Sequence, residues 1–208
     1  MNRLPFLVFL FFILNTSAQD FEGKIFFEIK HFFHDSSKNN GRLPNNMNYL
    51  IAGKFSKINQ STAIGSQSII KDTLTNTSLL LVKIIDEDIA IILENEKDTN
   101  EVVQITYKEN FKTILNFKCQ KAIVNTYNKS SGKNSTAVIY FTKEISNSYS
   151  NNFNELLGFP LGYEINSDNI TSIYSATKIT RSPINIKEFE INSNTKTFTL
   201  REFKKLMN

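Results

Sequence analysis

The chain has 208 residues, with 24 basic and 20 acidic side chains, no tryptophan and a single cysteine. Its lysines are scattered among acids rather than gathered in a stripe, which argues against nucleic acid as the partner. One cysteine cannot close an internal disulfide, so stability must come from a buried core, which a domain of this length can build.

Met1-Asn2-Arg3 gives a positive end, Leu4 to Leu14 an apolar run, and Thr16-Ser17-Ala18 a small-residue cleavage site. These predict a signal peptide over residues 1–19, cleaved after Ala18, with the mature chain starting at Gln19 or Asp20. The expected protein is exported, periplasmic or secreted. The run is shorter than the roughly 20 residues of a spanning helix, and no later run is longer, so no span is expected once the signal is removed. Residues 20–208 are expected to form one mainly-β domain.

Within that domain, short stretches rich in Ile, Val, Phe, Tyr and Thr alternate with clusters of Asn, Ser, Asp and Lys, the pattern of strands and turns. Over residues 21–33, Phe21, Ile25, Phe27, Ile29 and Phe33 share one face of a strand, and Glu22, Lys24, Glu28 and Lys30 share the other. The segment 35–46 reads as a polar, mobile excursion. Strands are predicted at 47–60 and 66–73. Two more, in "SLLLVKIIDEDIAIILEN", meet at Asp86-Glu87-Asp88. Further strands are predicted at 102–107, 112–127, 135–145, 161–166, 170–181 and 184–191. Helical candidates are a short turn at 153–157 and the C-terminal "TLREFKKLM", with Leu200, Phe203 and Leu206 on one stripe.

Several of these strands carry apolar residues on consecutive positions, which predicts cover on both faces. Amphipathic helices are too few to supply it. The sequence therefore predicts a mainly-β fold: a single curved antiparallel sheet or half-barrel with one or two short helices, or alternatively a closed β-barrel or sandwich. In the open form the apolar face is either self-filled or lines a cavity for an apolar ligand or partner.

No constellation points to chemistry. His31 and His34 are three apart, an odd spacing that sends them to opposite faces of a strand, so they are not expected to chelate a metal. His31 reads as a hydrogen-bonded rim residue. In "TILNFKCQK" the alternation puts Leu115, Phe117 and Cys119 on one side, which makes Cys119 a small core residue rather than a nucleophile. The acids Asp86, Glu87, Asp88, Glu94, Glu96, Asp98 and Glu101 fall at turns and strand ends without calcium-loop spacing. No catalytic residue, metal or cofactor is expected.

The order "FEGKIFFEIK", "MNYLIAGKFSKINQS", "IIKDTLTNT", "KTILNFKCQKAIV", "AVIYFTKEI" and "LLGFPLGYEI" resembles the GLPGLI-type and related exported bacterial proteins over nearly the whole mature chain. The marker residues are Phe117, Cys119, Lys121 and Ala122, then Tyr140 at the place of the family's tryptophan, then Gly158, Pro160 and Gly162. Asn116 stands where the family commonly has glycine. The resemblance implies no activity, and it implies a fold like the lipoprotein-carrier sheets of the LolA/LolB kind. In "ELLGFPLGYEI", Gly158 is expected at positive φ leaving the 153–157 turn, Pro160 at the start of the next strand, and Gly162 at a bulge or a close approach.

The expected function is that of an exported, non-enzymatic envelope protein whose curved sheet binds an apolar, lipid-like molecule or an envelope component. The alternative is a protein-interaction or structural module of the envelope, joined through strand edges or the 35–46 loop.

Overall fold

The computed structural model describes residues 21–35, 43–62, 65–84, 87–93, 100–167 and 169–206. The expected leader, most of the 35–46 excursion, Asp86, and Glu94, Glu96 and Asp98 lie outside the described residues.

The described chain forms twelve strands: β1 (Gly23–Phe33), β2 (Asn46–Ala52), β3 (Phe55–Thr62), β4 (Gly65–Asp72), β5 (Thr77–Ile84), β6 (Glu87–Leu93), β7 (Glu101–Ile114), β8 (Phe117–Asn128), β9 (Lys133–Thr142), β10 (Phe159–Ser167), β11 (Ile170–Arg181) and β12 (Lys196–Thr199). One helix, α1 (Leu200–Leu206), follows. The strands make one open, curved sheet in the order β12-β6-β5-β4-β3-β2-β1-β11-β10-β9-β8-β7. Neighbours are antiparallel except β12, which runs parallel to β6. The sheet does not close, so the barrel alternative is excluded.

Turn chemistry accounts for most departures from the expected elements. The single strand expected at 47–60 is the β2–β3 hairpin, turned by Gly53 at φ 52°. The strand expected at 112–127 is likewise broken: Leu115 and Asn116 adopt φ 48° and 71° and reverse the chain between β7 and β8. Two consecutive positive φ angles suit a two-residue hairpin turn, and asparagine tolerates them where leucine does not. Leu115 therefore leaves the face assigned to it, while Phe117 and Cys119 stay buried.

Residues 184–191 form no strand; Asn185 caps a 3-10 turn over Ile186–Phe189 by accepting from the Lys187 N–H. Residues 153–157 make turns and bends rather than a helix, and β12 was not foreseen. The α1 helix has no buried residue, so its expected apolar stripe is weak.

Two connections cover opposite faces of the sheet. In β2, Met47, Tyr49 and Ile51 belong to the larger core, and the alternating Leu50 and Ala52 to a smaller one. The larger core is closed by the strap 143–158, which contributes Ile145, Tyr149 and Leu156. The smaller is closed by segment 182–195, where the Phe189 ring stacks on Phe55 at 5.6 Å. This segment is fixed by Lys57 Nζ donating to the Glu188 carbonyl at 2.8 Å and by the Ile184 N–H donating to Glu22 Oε1 at 2.7 Å.

Candidate functional site

The strap is held to the sheet by buried polar groups. Tyr149 Oη donates to the Gly53 carbonyl at 2.7 Å, Ser56 Oγ to the Tyr149 carbonyl at 2.9 Å, and Lys71 Nζ to the Ser150 carbonyl at 2.7 Å. Lys71 is only 5% exposed, and among the described residues no carboxylate lies within ion-pair distance of it. Burial without a counter-charge pulls its ammonium below the usual lysine range. Burial also pushes the phenols of Tyr49, Tyr163 and Tyr174 above their ordinary value. Tyr163 and Tyr174 stack at 4.3 Å, and Tyr49 meets Phe159 edge to face at 5.1 Å. Protonated phenols and a backbone-bound lysine hold a strap; they do not assemble a nucleophile with its base.

The residues that carry the resemblance lie on β8, β9 and β10, except Gly158, which immediately precedes β10. Phe117, Cys119 and Ala122 are core residues. The Cys119 thiol is fully buried and donates to the Phe117 carbonyl at 3.5 Å, and burial pushes its pKa to about 11. A thiol in that setting is a poor nucleophile. Lys121, Tyr140 and Gly162 stand side by side across β8, β9 and β10, with Lys112 Nζ 3.7 Å above the Tyr140 ring. A Cβ on Gly162 would come within 3.3 Å of Ile114 Cδ1, and the ladder between Pro160 and Gly162 is bulged. Gly162 thus sits beside a bulge, and its close neighbour is a side chain of the same sheet.

Pro160 is the second residue of β10. Gly158 does not adopt the positive φ expected of it; the residue in that region is Phe153, at 58°. Gly158 is required because a Cβ would overlap the Thr142 carbonyl, where the strap rejoins the sheet.

His31 is a half-buried rim residue. Its Nε2–H donates to the Pro44 carbonyl at 2.9 Å, so Nδ1 accepts from Ser172 Oγ at 2.9 Å. His34 lies beyond the end of β1, with Nε2 3.3 Å from Thr171 Oγ1.

The expected apolar space is divided in two. Under the strap it is self-filled: Ile25, Ile139, Phe141, Phe159 and Leu161 are almost wholly buried. Beyond the strap, a row of facing side chains continues from β1 to β12 as Ile25, Tyr49, Ile58, Ile69, Leu80, Ile91 and Phe198. The next row includes Val82, Ile89 and Lys196. Ile58 and Ile91 are buried, but Ile69, Leu80, Val82, Ile89 and Phe198 are only half-buried. This leaves a half-buried apolar trough on the curved sheet at β4–β6, and α1 contacts β6 and β12.

Sequence reasoning marked this segment through its consecutive apolar residues but assigned it full cover. It missed Lys71, whose strand parity with Ile69 was the available signal for an inward-facing cation.

Two hollows lie elsewhere. One, of about 600 Å³, is bordered by Phe26, Glu28, Asn46, Asn48 and Thr177. The other, of about 280 Å³, sits among Glu101, Thr126, Asn128 and Lys133. Both have mixed polar linings, and neither is the apolar cavity expected. Among the described residues no group of three His, Cys, Asp or Glu side chains could hold a metal ion, and no helix is long and apolar enough to cross a membrane. Compared with protein-family models and with curated proteins, the chain matches none.

Proposed function

We propose that this is an exported, non-catalytic envelope protein that holds an apolar, lipid-like molecule along the trough of β4–β6. The observation that carries the reading is the half-buried set Ile69, Leu80, Val82 and Ile89, in two adjacent rows continuous with a filled core yet left open by the strap. The leader-like residues 1–19 and the resemblance to GLPGLI-type exported proteins support the compartment.

From Ile58 to Ile91 the row crosses three interstrand gaps. At ~4.8 Å each these give about 14 Å, the reach of an acyl chain of about ten methylenes. Full burial contributes ~0.8 kcal/mol per methylene, or about 8 kcal/mol, which sets micromolar as the tightest Kd before association costs weaken it. One-sided contact halves that and limits binding to millimolar or weaker. The Lys196 position, in the same row as Val82 and Ile89, would place a cation beside an anionic headgroup.

The test is a titration of delipidated protein with a fluorescent fatty acid from micromolar to millimolar concentration, alongside extraction of co-purified lipid. Saturable uptake that falls at least tenfold in Leu80→Asn supports the reading. Absence of both uptake and extracted lipid overturns it.

A further inference from the structure

We infer that two copies of this chain pair through β7, antiparallel, with Gln104 on the two-fold axis. The two edges of the sheet differ sharply. The β12 edge has four residues, starts at Lys196 and runs directly into α1, features that blunt an edge. The β7 edge has 14 residues. Its second half is protected by an irregularity between Tyr107 and Phe111 and by Lys108 and Lys112. Its first half, Glu101 to Tyr107, has no lysine, proline or bulge, and it exposes Val102 (47%) and Val103 (37%). A regular edge of this kind is a template for another strand.

The sequence of that half selects a second copy as the strand. A two-fold axis perpendicular to the sheet keeps each face on its own side, so only registers centred on a residue are allowed. Centred on Gln104, Val103 faces Ile105 of the other copy, Val102 faces Thr106, and Glu101 faces Tyr107. Ile105 and Tyr107 already pack on the larger core, so this pairing would extend that core across the axis. Centring on Ile105 instead sets Glu101 against Glu109, a like-charge pair that disfavours that register. The pairing also closes: it uses the long open edge that the described residues of each copy present, whereas β7 on β12 would propagate as a filament.

The test combines light scattering of the purified chain with single-cysteine variants, Cys119 being buried and out of reach. Gln104→Cys should form a disulfide-linked dimer within minutes under mild oxidation. Val102→Cys should not, because its copy lies four residues along, about 13 Å away, beyond disulfide reach. Val103→Lys, a substitution on an exposed strand position, should halve the mass seen by light scattering with the circular dichroism spectrum unchanged. A monomer at high micromolar concentration, equal cross-linking at positions 102 and 104, or cross-linking of position 104 to a different envelope protein overturns the proposal.

Discussion

The two halves of this sheet are built from similar residues but finished differently. Strands β8 to β11, with β1 and β2, carry a strap that fills their inner face with Ile145, Tyr149 and Leu156. Beyond Lys71, where the strap last touches β4, strands β4 to β6 carry apolar side chains in the same rows without that cover, and most of them stay half-buried. Apolar strands alone therefore do not define a core; the connection that crosses them does. The 143–158 strap can cross because Gly158 admits the Thr142 carbonyl and because Lys71, Ser56 and Tyr149 satisfy the polar groups it buries.

The strongest way to break the contrast is at the strap's return. Gly158→Val drives a branched side chain into the Thr142 carbonyl, and we expect the chain to lose at least about 4 kcal/mol or fail to fold. Urea unfolding followed by far-ultraviolet circular dichroism checks it, and binding should change only as far as folding does. Next in size, Phe141→Ala removes a ring that is 1% exposed in the filled half and should cost about 3–5 kcal/mol. The matching change in the trough, Leu80→Ala, should cost less, about 1–2 kcal/mol, because that side chain is only partly buried. Equal losses at the two positions would erase the distinction.

A third difference is chemical. The filled half holds Tyr49 and Tyr163 with raised phenol pKa values. Above about pH 10 these groups ionise in the unfolded chain but not in the folded one. Stability is therefore intact below pH 10 and should fall by about 3 kcal/mol by pH 11 from this pair. Lys71 works in the opposite direction: its lowered pKa means that its burial cost is relieved as pH rises toward 10.5. Two deeply buried phenols against one lysine leave a net alkaline loss, which Tyr163→Phe should reduce in a thermal-shift series.

The smallest effect lies at the turns. Asp72 pairs with Lys54 at 2.7 Å and accepts from the Leu74 N–H, and these hold its carboxyl below the usual value. That contribution is present above about pH 4 and is lost below it. Asp72→Asn should cost less than about 1 kcal/mol, measured by the same unfolding curves at pH 7.

How much of this was legible in the sequence depends on which force decided each element. Strand alternation placed β1 and the inward face of β9 correctly, since Ile25, Phe27, Ile139 and Phe141 are buried as their period demands. The two hairpins at Gly53 and Leu115-Asn116 were missed because each turn takes only two residues within an unbroken β-rich run. Asn116 was the readable half of its pair; a leucine at positive φ is imposed by the hairpin and leaves no local signal. The 3-10 turn at Ile186–Phe189 read as a strand because Phe189 and Ile191 are apolar at even spacing, yet they pack down on β2 and β4 instead of pairing.

The trough itself was visible as two-faced apolar strands. That they would be left half-covered was not, because cover comes from residues 143–158, far along the chain. Long-range closure of this kind is decided by topology, which local pattern does not encode.

The most direct test of the central claim is hydrogen–deuterium exchange of the delipidated chain with and without a saturating fatty acid. We predict slowed exchange in β4, β5 and β6, with β9, β10 and the strap unchanged. Slowed exchange under the strap, with no change on β4 to β6, would contradict it and place the ligand in the filled half.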